Sequence, residues 1–573
     1  MSYFQLKKTL NSRLRQTGRI ITWCLLWVSV LGFRSSQPQN QSPNYFEITK
    51  NIDLLGQIIR EIAIHFVDEI DIEKFIRIGI DASLASLDPY TNFIDTDEIE
   101  DFKYLSTGQY GGIGAGLNTI DGKNIISEVY PGKPAHKAGL KAGDIILKID
   151  NTSIESKKMD SFEVRNLLRG QPHTKVSVTV KRYGESKPLT FVVEREEIKI
   201  DNVPYYGMLN QTTGYISLGQ FTQDASFEVK KAYEEMKKKG MQSLILDVRS
   251  NPGGLLYEAI NVSNLFINKG EKIVETKGRI EGSNKVYVTE NPPLDLQIPL
   301  VVLINGQSAS ASEIVAGVIQ DLDRGVVIGQ RSFGKGLVQT SANLPYKTQI
   351  KLTTSRYYTP SGRCIQSIDY AKSYAKKDKK AKQIKTPDSL KAVFTTRGGR
   401  KVLDAGGIDP DISLKPKEYH KITLELVRKN LIYNFATEFY YKNPKIASAR
   451  EFQITDAIYQ DFIAFLEKNG FKYEDSQSKE IEELIAEVNK EPFSESIKNN
   501  IQSLKDELER HKKNDLRNYR SEISEWLLAE IVSRYYYRAG RIETSLFFDP
   551  EIKEALAVLQ DSNRYKKLLT SNP

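Results

Sequence analysis

The chain has 573 residues, is 40% hydrophobic and carries a formal net charge of +8. That length predicts three or four domains with ample material for their cores. The charge is mild for the size, and lysines and glutamates are interspersed as on solvated helix faces, so no nucleic-acid partner is expected. Residues 1–33 read as a signal peptide or membrane anchor. Lys7, Lys8, Arg13, Arg15 and Arg19 precede an uncharged apolar run, Ile20–Phe33, which has the length of a signal-peptide core and is short for a spanning helix. The basic flank favours the cytoplasmic side, so the remainder is expected to be exported to a periplasmic space, with membrane association through residues 20–33 if the segment is retained. Cys24 lies in this run. Cys364 is then the lone cysteine of the mature part, which can form no internal disulfide. Residues 34–46 form a polar linker. Within residues 34–103, Ile52, Leu55, Ile58, Ile59, Ile62 and Phe66 fall on one helical stripe, and Leu87–Ile94 (LDPYTNFI) closes the region with an Asp-Pro turn.

Residues 104–195 open with Tyr110-Gly-Gly-Ile-Gly-Ala-Gly-Leu117. The spacing fails the dinucleotide pattern, because the position due a third glycine is Leu117. Such a loop can instead point backbone N–H groups at a carboxylate. The run Pro134–Asp150 carries the pattern AGL, GD, I, L, I. Together the two stretches strongly resemble a PDZ domain, completed by a helix at Ser161–Leu168 and a strand at Lys175–Lys181. The resemblance implies that Gly111, Gly112, Ile113 and Gly114 take the C-terminus of an extended peptide by strand addition. Arg169, just after the helix, is expected to couple the PDZ position to the active site.

Residues 196–415 alternate strands and helices. Thr213–Phe221 reads as a strand, Ala225–Lys239 as a helix stopped by Gly240, Ser243–Val248 as a buried strand and Leu255–Ile267 as a helix. These lengths argue for βαβ crossovers and a mostly parallel sheet, with sites beyond the strand C-termini. Val301–Ile304 is a buried strand ending in Asn-Gly. Ser308-Ala-Ser310-Ala-Ser312 follows, and Glu313 opens a helix to Leu322. A serine there meets free N–H groups and the positive end of the helix dipole, although the three serines also suit plain N-caps. None of His65, His136, His173, His420 and His511 sits in a strand-end turn of the sheet. Lys335, between Gly334 and Gly336, is the alternative base. Lowering a lysine from about 10.4 to near 7 costs roughly 4–5 kcal/mol, which a buried site can supply. On the residues alone, a solvated turn lysine is an equal reading.

SASASE, Gln320-Asp321, FGKG and Gln339 closely resemble the carboxyl-terminal processing peptidases, serine peptidases with a Ser-Lys dyad. The resemblance spans roughly residues 47–415. It implies Ser310 as nucleophile, Lys335 as general base, Gln339 as the residue orienting the lysine and Asp321 as a structural aspartate. Asn251-Pro-Gly-Gly254 is a family signature too. The amides of Gly254 and Ala311 are the candidates for an oxyanion hole, although a helix entry also needs glycine there. The family also implies self-association through the N-terminal helices. No metal or cofactor is expected, since no cluster has ligand spacing.

Residues 366–394, rich in lysine, interrupt the core as a basic insertion. Residues 416–573 form a helical region outside the identifying motifs, a scaffold, dimerisation element or adaptor. The expected fold is thus α/β multidomain: an N-terminal helical segment, a PDZ domain, a largely parallel peptidase core and a C-terminal helical region. The expected function is an exported serine endopeptidase acting on protein C-termini. The alternative is an inactive PDZ scaffold or chaperone-like tail binder.

Overall fold

The structure, a computed structural model, describes residues 44–370, 387, 389, 391–471, 473, 476–488, 490 and 495–570. The targeting segment and most of the basic insertion lie outside them. The chain divides into two units, before and after Ile80. The first holds the Tyr45–His65 helix, whose Asn44 cap accepts from Glu47 N–H at 3.3 Å, and the start of the Ile72–Ala85 helix. The stripe expected on the first helix is present, but Ile52, Leu55, Ile58 and Phe66 are exposed. No helix among the described residues is long and apolar enough to cross a membrane.

The second unit is built on a six-stranded sheet in the order Tyr205–Met208, Thr213–Ser217, Ser243–Asp247, Leu300–Ile304, Val326–Gly329, Ile412–Ser413. The first pair is antiparallel and the rest are parallel. The strands are continuous apolar runs because both faces are covered. Leu244, Leu246, Val302, Ile304 and Val327 pack against the Ala225–Lys238, Leu256–Asn264 and Ala311–Asp321 helices. The alternate residues Ile245, Val301, Leu303, Val326 and Ile328 face the other way, onto Leu546, Ile552, Ala555 and Val558 of the C-terminal region. The expected alternating strand at Thr213–Phe221 is shorter than its pattern and ends at Ser217, with Thr213–Ile216 all buried.

A second, antiparallel sheet centres on Gln349–Tyr358, which pairs with Leu337–Asn343, Lys272–Gly278 and Asn92–Ile94. Asn92–Ile94 corrects the sequence reading: LDPYTNFI does not merely close a helical segment but adds a strand to the peptidase. The PDZ sheet comprises Ala115–Ile120, Lys123–Val129, Ile145–Ile149, Lys175–Lys181 and Leu189–Glu194. Its Ser161–Leu168 helix is started by a capping box. Asp160 accepts from the Phe162 and Glu163 amides at 2.9 Å, and Glu163 accepts from Asp160 N–H at 2.8 Å. Helix Ile99–Thr107 runs across the boundary expected at residue 103. The C-terminal helices Lys421–Arg428, Leu431–Lys442, Asp456–Lys468 and Arg520–Ser545 share an aromatic-rich core around Phe435, Phe462 and Leu527.

Candidate active site

Ser310 stands between the Leu300–Ile304 strand and the Ala311–Asp321 helix with φ of +55° and ψ of −113°. A non-glycine residue adopts such a backbone only where its surroundings enforce it. The enforcement comes from Glu313. Its Oε2 accepts from Ser310 N–H at 2.8 Å and Lys335 N–H at 2.9 Å. Its Oε1 accepts from Ser332 Oγ at 2.6 Å and Gly334 N–H at 2.7 Å. One fully buried carboxylate thus ties the serine turn to the lysine loop. Burial pushes the Glu313 carboxyl upward. Three of its four neighbours are backbone N–H groups, which can only donate, and these oppose the effect of burial by favouring the anion. The signal was present in the sequence as a Ser-x-x-Glu capping box, but nothing local announced the contacts at residues 332–335.

Lys335 is half-buried, with Nζ 4.4 Å from the centre of the Tyr90 ring. Burial lowers its pKa from 10.5 to about 8. The Lys351 ammonium adds to the shift, while the Glu313 and Asp88 carboxylates oppose it. Tyr90 is delivered by the Asn92–Ile94 strand. Asp88 Oδ1 turns the chain there by accepting from the Tyr90 and Thr91 amides at 2.8 and 2.9 Å, and Thr91 Oγ1 accepts from Thr353 N–H at 3.2 Å. No hydrogen bond joins Lys335 Nζ to Ser310 Oγ. Gln339 donates its Nε2–H to Thr353 Oγ1 at 3.2 Å, so its amide nitrogen is held by the sheet and not by Lys335. Catalytic hydrogen bonds are commonly loose before substrate binds.

Gly253 lies against Ser310. A Cβ there would fall 2.9 Å from both Ser310 Cβ and Ala311 N. Its N–H is taken by Asn251 Oδ1 at 2.9 Å. The N–H groups of Gly254 and Ala311, the expected oxyanion donors, carry no hydrogen bond among the described residues. Asp321 is remote from this chemistry. It is paired with buried Arg363 at 2.8 Å and accepts from Thr359 Oγ1 at 2.5 Å, inside the core.

In the PDZ domain, a groove of about 250 Å³ runs between the Ala115–Ile120 strand and the Ser161–Leu168 helix. Gly112 and Ile113 line it, together with Leu117, Leu168, Tyr104 and Tyr130. Gly111 and Gly114, also expected at the peptide site, do not line this groove. Gly111 is in a two-stranded sheet with Glu196–Lys199, and its carbonyl accepts from Gly170 N–H at 3.2 Å. Gly114 makes a left-handed turn with φ of +72°. Arg169 sits at the groove, ion-paired with Asp101 of the Ile99–Thr107 helix and with its guanidinium 5.2 Å from the Tyr110 ring centre. None of the catalytic candidates is among those partners.

Residues 212–372 match the model of peptidase family S41, residues 125–182 that of a PDZ domain, and residues 422–559 that of a probable PDZ-protease C-terminal helical domain. The chain is 36% identical over 361 residues to the carboxy-terminal-processing protease of Bartonella bacilliformis, spanning 62% of this chain and 81% of that one. The chain belongs to the carboxy-terminal-processing protease family. It is also 33% identical over 314 residues to the carboxy-terminal processing protease CtpA of Bacillus subtilis, covering 55% of this chain and 66% of that protein. Among solved structures, a photosystem II D1 C-terminal processing protease matches with 26% identity and a TM-score of 0.35, covering 63% of this chain and 86% of that one. The protease is therefore a serine peptidase with a PDZ domain, as its sequence motifs led one to expect.

Proposed function

We propose that this protease is an exported endopeptidase that captures extended protein C-termini in its PDZ groove and cuts them with Ser310 and Lys335. Neutral Lys335 removes the Ser310 hydroxyl proton as Oγ attacks the scissile carbonyl. The oxyanion is met by the Gly254 and Ala311 amides. Lys335 then returns the proton to the leaving amine, an acyl-enzyme remains, and water, deprotonated by Lys335, releases the new C-terminus. The observation that carries this reading is the single Glu313 carboxylate binding the backbone of both Ser310 and Lys335. The depressed lysine pKa of about 8 supports it, because an appreciable neutral fraction then exists near neutrality. Loss of the proton also weakens the hold of the Tyr90 ring on Nζ, which frees the amine to turn toward Ser310.

The basic flank and apolar run Ile20–Phe33 support export to the periplasm, with inner-membrane anchoring if the run is kept. The exposed apolar stripe of Tyr45–His65 supports self-association through that helix. The absence of a hydrogen bond between Ser310 and Lys335 favours a second reading, a tail-binding scaffold that does not cleave.

The test compares the wild type with Ser310→Ala and Lys335→Ala on an unfolded reporter ending in small apolar residues, and on the same reporter with a charged tail. Cleavage absent from both variants, and weaker on the charged tail, is the expected result. Tail binding without cleavage by the wild type would establish the scaffold. Unchanged cleavage by Ser310→Ala would reject Ser310 as nucleophile.

A further inference from the structure

The C-terminal helix Pro550–Gln560 begins at the C-terminal ends of the central strands, beside the heads of the catalytic loops. Its N-cap, Asp549, and its residue Glu551 meet one guanidinium. Arg249 Nη1 donates to Asp549 Oδ2 at 2.7 Å and to Glu551 Oε2 at 2.5 Å. Its Nε and Nη2 are held by Asp247 at 2.9 and 2.5 Å. The other oxygen of Glu551, Oε1, accepts from Gln330 Nε2. Arg249 and Gln330 have matching places in the chain. Arg249 precedes Gly254 by five residues, and Gln330 precedes Lys335 by five. Each is at the point where a sheet strand gives way to a loop of the site.

The same corner is braced at the third strand. Asn305, next after Ile304, accepts from Ser250 N–H at 2.9 Å and donates to Ser250 Oγ at 3.1 Å, and Ser250 is held at a φ of +56°. Gln330 N–H in turn donates to Ile304 carbonyl at 3.0 Å. The helix supplying Glu551 is itself fixed. Asp549 Oδ1 caps it by accepting from the Glu551 and Ile552 amides at 2.8 and 3.3 Å, and Ile552, Ala555 and Val558 are buried on the sheet. Acidic side chains at this end are also favoured by the helix dipole.

We infer that Glu551 is a positioning residue: its two carboxylate oxygens clamp the oxyanion loop through Arg249 and the general-base loop through Gln330. The helical region is then part of the catalytic apparatus, setting the spacing between the Gly254 amide and Lys335 without touching substrate. This rests on the roles assigned to Gly254 and Lys335 above. Displacements near 1 Å at such groups reduce turnover by on the order of a hundredfold. The PDZ groove shares no residue with the clamp, so capture of the tail is independent of it.

The experiment uses the full-length protein and the variants Glu551→Ala, Glu551→Gln and Arg249→Lys, with Ser310→Ala as the inactive reference. For Glu551→Ala, kcat on the tailed reporter is expected to fall roughly 10- to 100-fold while KM and tail affinity, read by fluorescence anisotropy, stay within about twofold. Affinity for a peptidyl boronic acid, which needs the oxyanion donors in place, should fall with kcat. Glu551→Gln keeps the shape and one acceptor, and should recover most of the loss. Hydrogen exchange over residues 249–254 and 330–336 should rise together in Glu551→Ala, a readout that does not depend on which residue is the nucleophile. The inference is overturned if exchange rises only within 549–560. It is also overturned if kcat is unchanged, or if kcat, tail affinity and melting temperature all decline in parallel.

Discussion

At the residue scale, the site turns on two buried charges that are held in opposite ways. Glu313 is stabilised as an anion by four donors and sits between the serine turn and the lysine loop. Glu313→Gln replaces one acceptor oxygen by an NH₂ that must face N–H groups. It should cost about 1–3 kcal/mol of stability and remove most activity, measured by urea unfolding alongside turnover of the tailed reporter. Lys335 is destabilised as a cation, its pKa lowered from 10.5 to about 8 by burial and by the nearby Lys351 charge. With neutral Lys335 as the proposed base, kcat/KM should rise with pH, reach half its plateau near 8 and stay level above. Lys351→Met removes the repelling charge and should move that rising limb to higher pH. Stability follows with a definite sign. Between about pH 8 and 10.5 the unfolded chain binds a proton that the folded chain does not, so the lysine's unfavourable contribution diminishes as pH rises through this window. Lys335→Met should therefore be inactive yet melt higher than the wild type at pH 7, and the difference should shrink above pH 8. An equal gain at pH 7 and pH 10 would contradict the burial of a charged lysine.

At the scale of elements, the sequence was most legible where a strand is buried on both sides. Leu244–Leu246 and Leu300–Ile304 announce themselves as uninterrupted apolar runs, and the small-residue turn at Ser310 has no other ready explanation than a tight strand-to-helix junction. Legibility failed where an element exists only because of a distant partner. Asn92–Ile94 is three residues long and is a strand solely by pairing with Lys351, Ile350 and Gln349, so its local sequence reads as a turn; with it the Tyr90 wall of the lysine site was missed. Likewise, the helical stripes after residue 416 told that helices form but not what they cover. Leu546, Ile552, Ala555 and Val558 turn out to close the second face of the catalytic sheet. Ile552→Ala should then cost roughly 2–5 kcal/mol. The loss should appear in the unfolding transition of the peptidase core, followed by hydrogen exchange in Ile245 and Val301, and not solely in the C-terminal helices.

At the scale of the whole second unit, the C-terminal helices touch both partners of the reaction, since they cover the peptidase sheet and also dock on the PDZ domain. Tyr433 Oη donates to the Ile126 carbonyl at 3.0 Å, the Tyr183 and Tyr441 rings stack with centres 5.9 Å apart, and His136 Nε2 lies 2.8 Å from the hydroxyl of Tyr537, where the long Arg520–Ser545 helix kinks. Gly143 fixes the closest approach. It has a φ of +95°, and a Cβ there would fall 2.5 Å from Thr437 Cγ2. Gly143→Ala thus adds two costs, a left-handed alanine of about 1 kcal/mol and a clash with the Thr437 side chain that turns that side chain or pushes back the Leu431–Lys442 helix. Gly122 separates them, because it has a φ of +72° with nothing within 4 Å of its would-be Cβ. Gly122→Ala should lower PDZ stability by the backbone cost alone. Gly143→Ala should in addition raise hydrogen exchange at both 123–146 and 431–442, while tail affinity of the groove is kept. If the PDZ position governs delivery of the tail to Ser310, cleavage of the tailed reporter should change in Gly143→Ala and not in Gly122→Ala. Equal behaviour of the two variants would mean that this contact is structural and that delivery is set elsewhere.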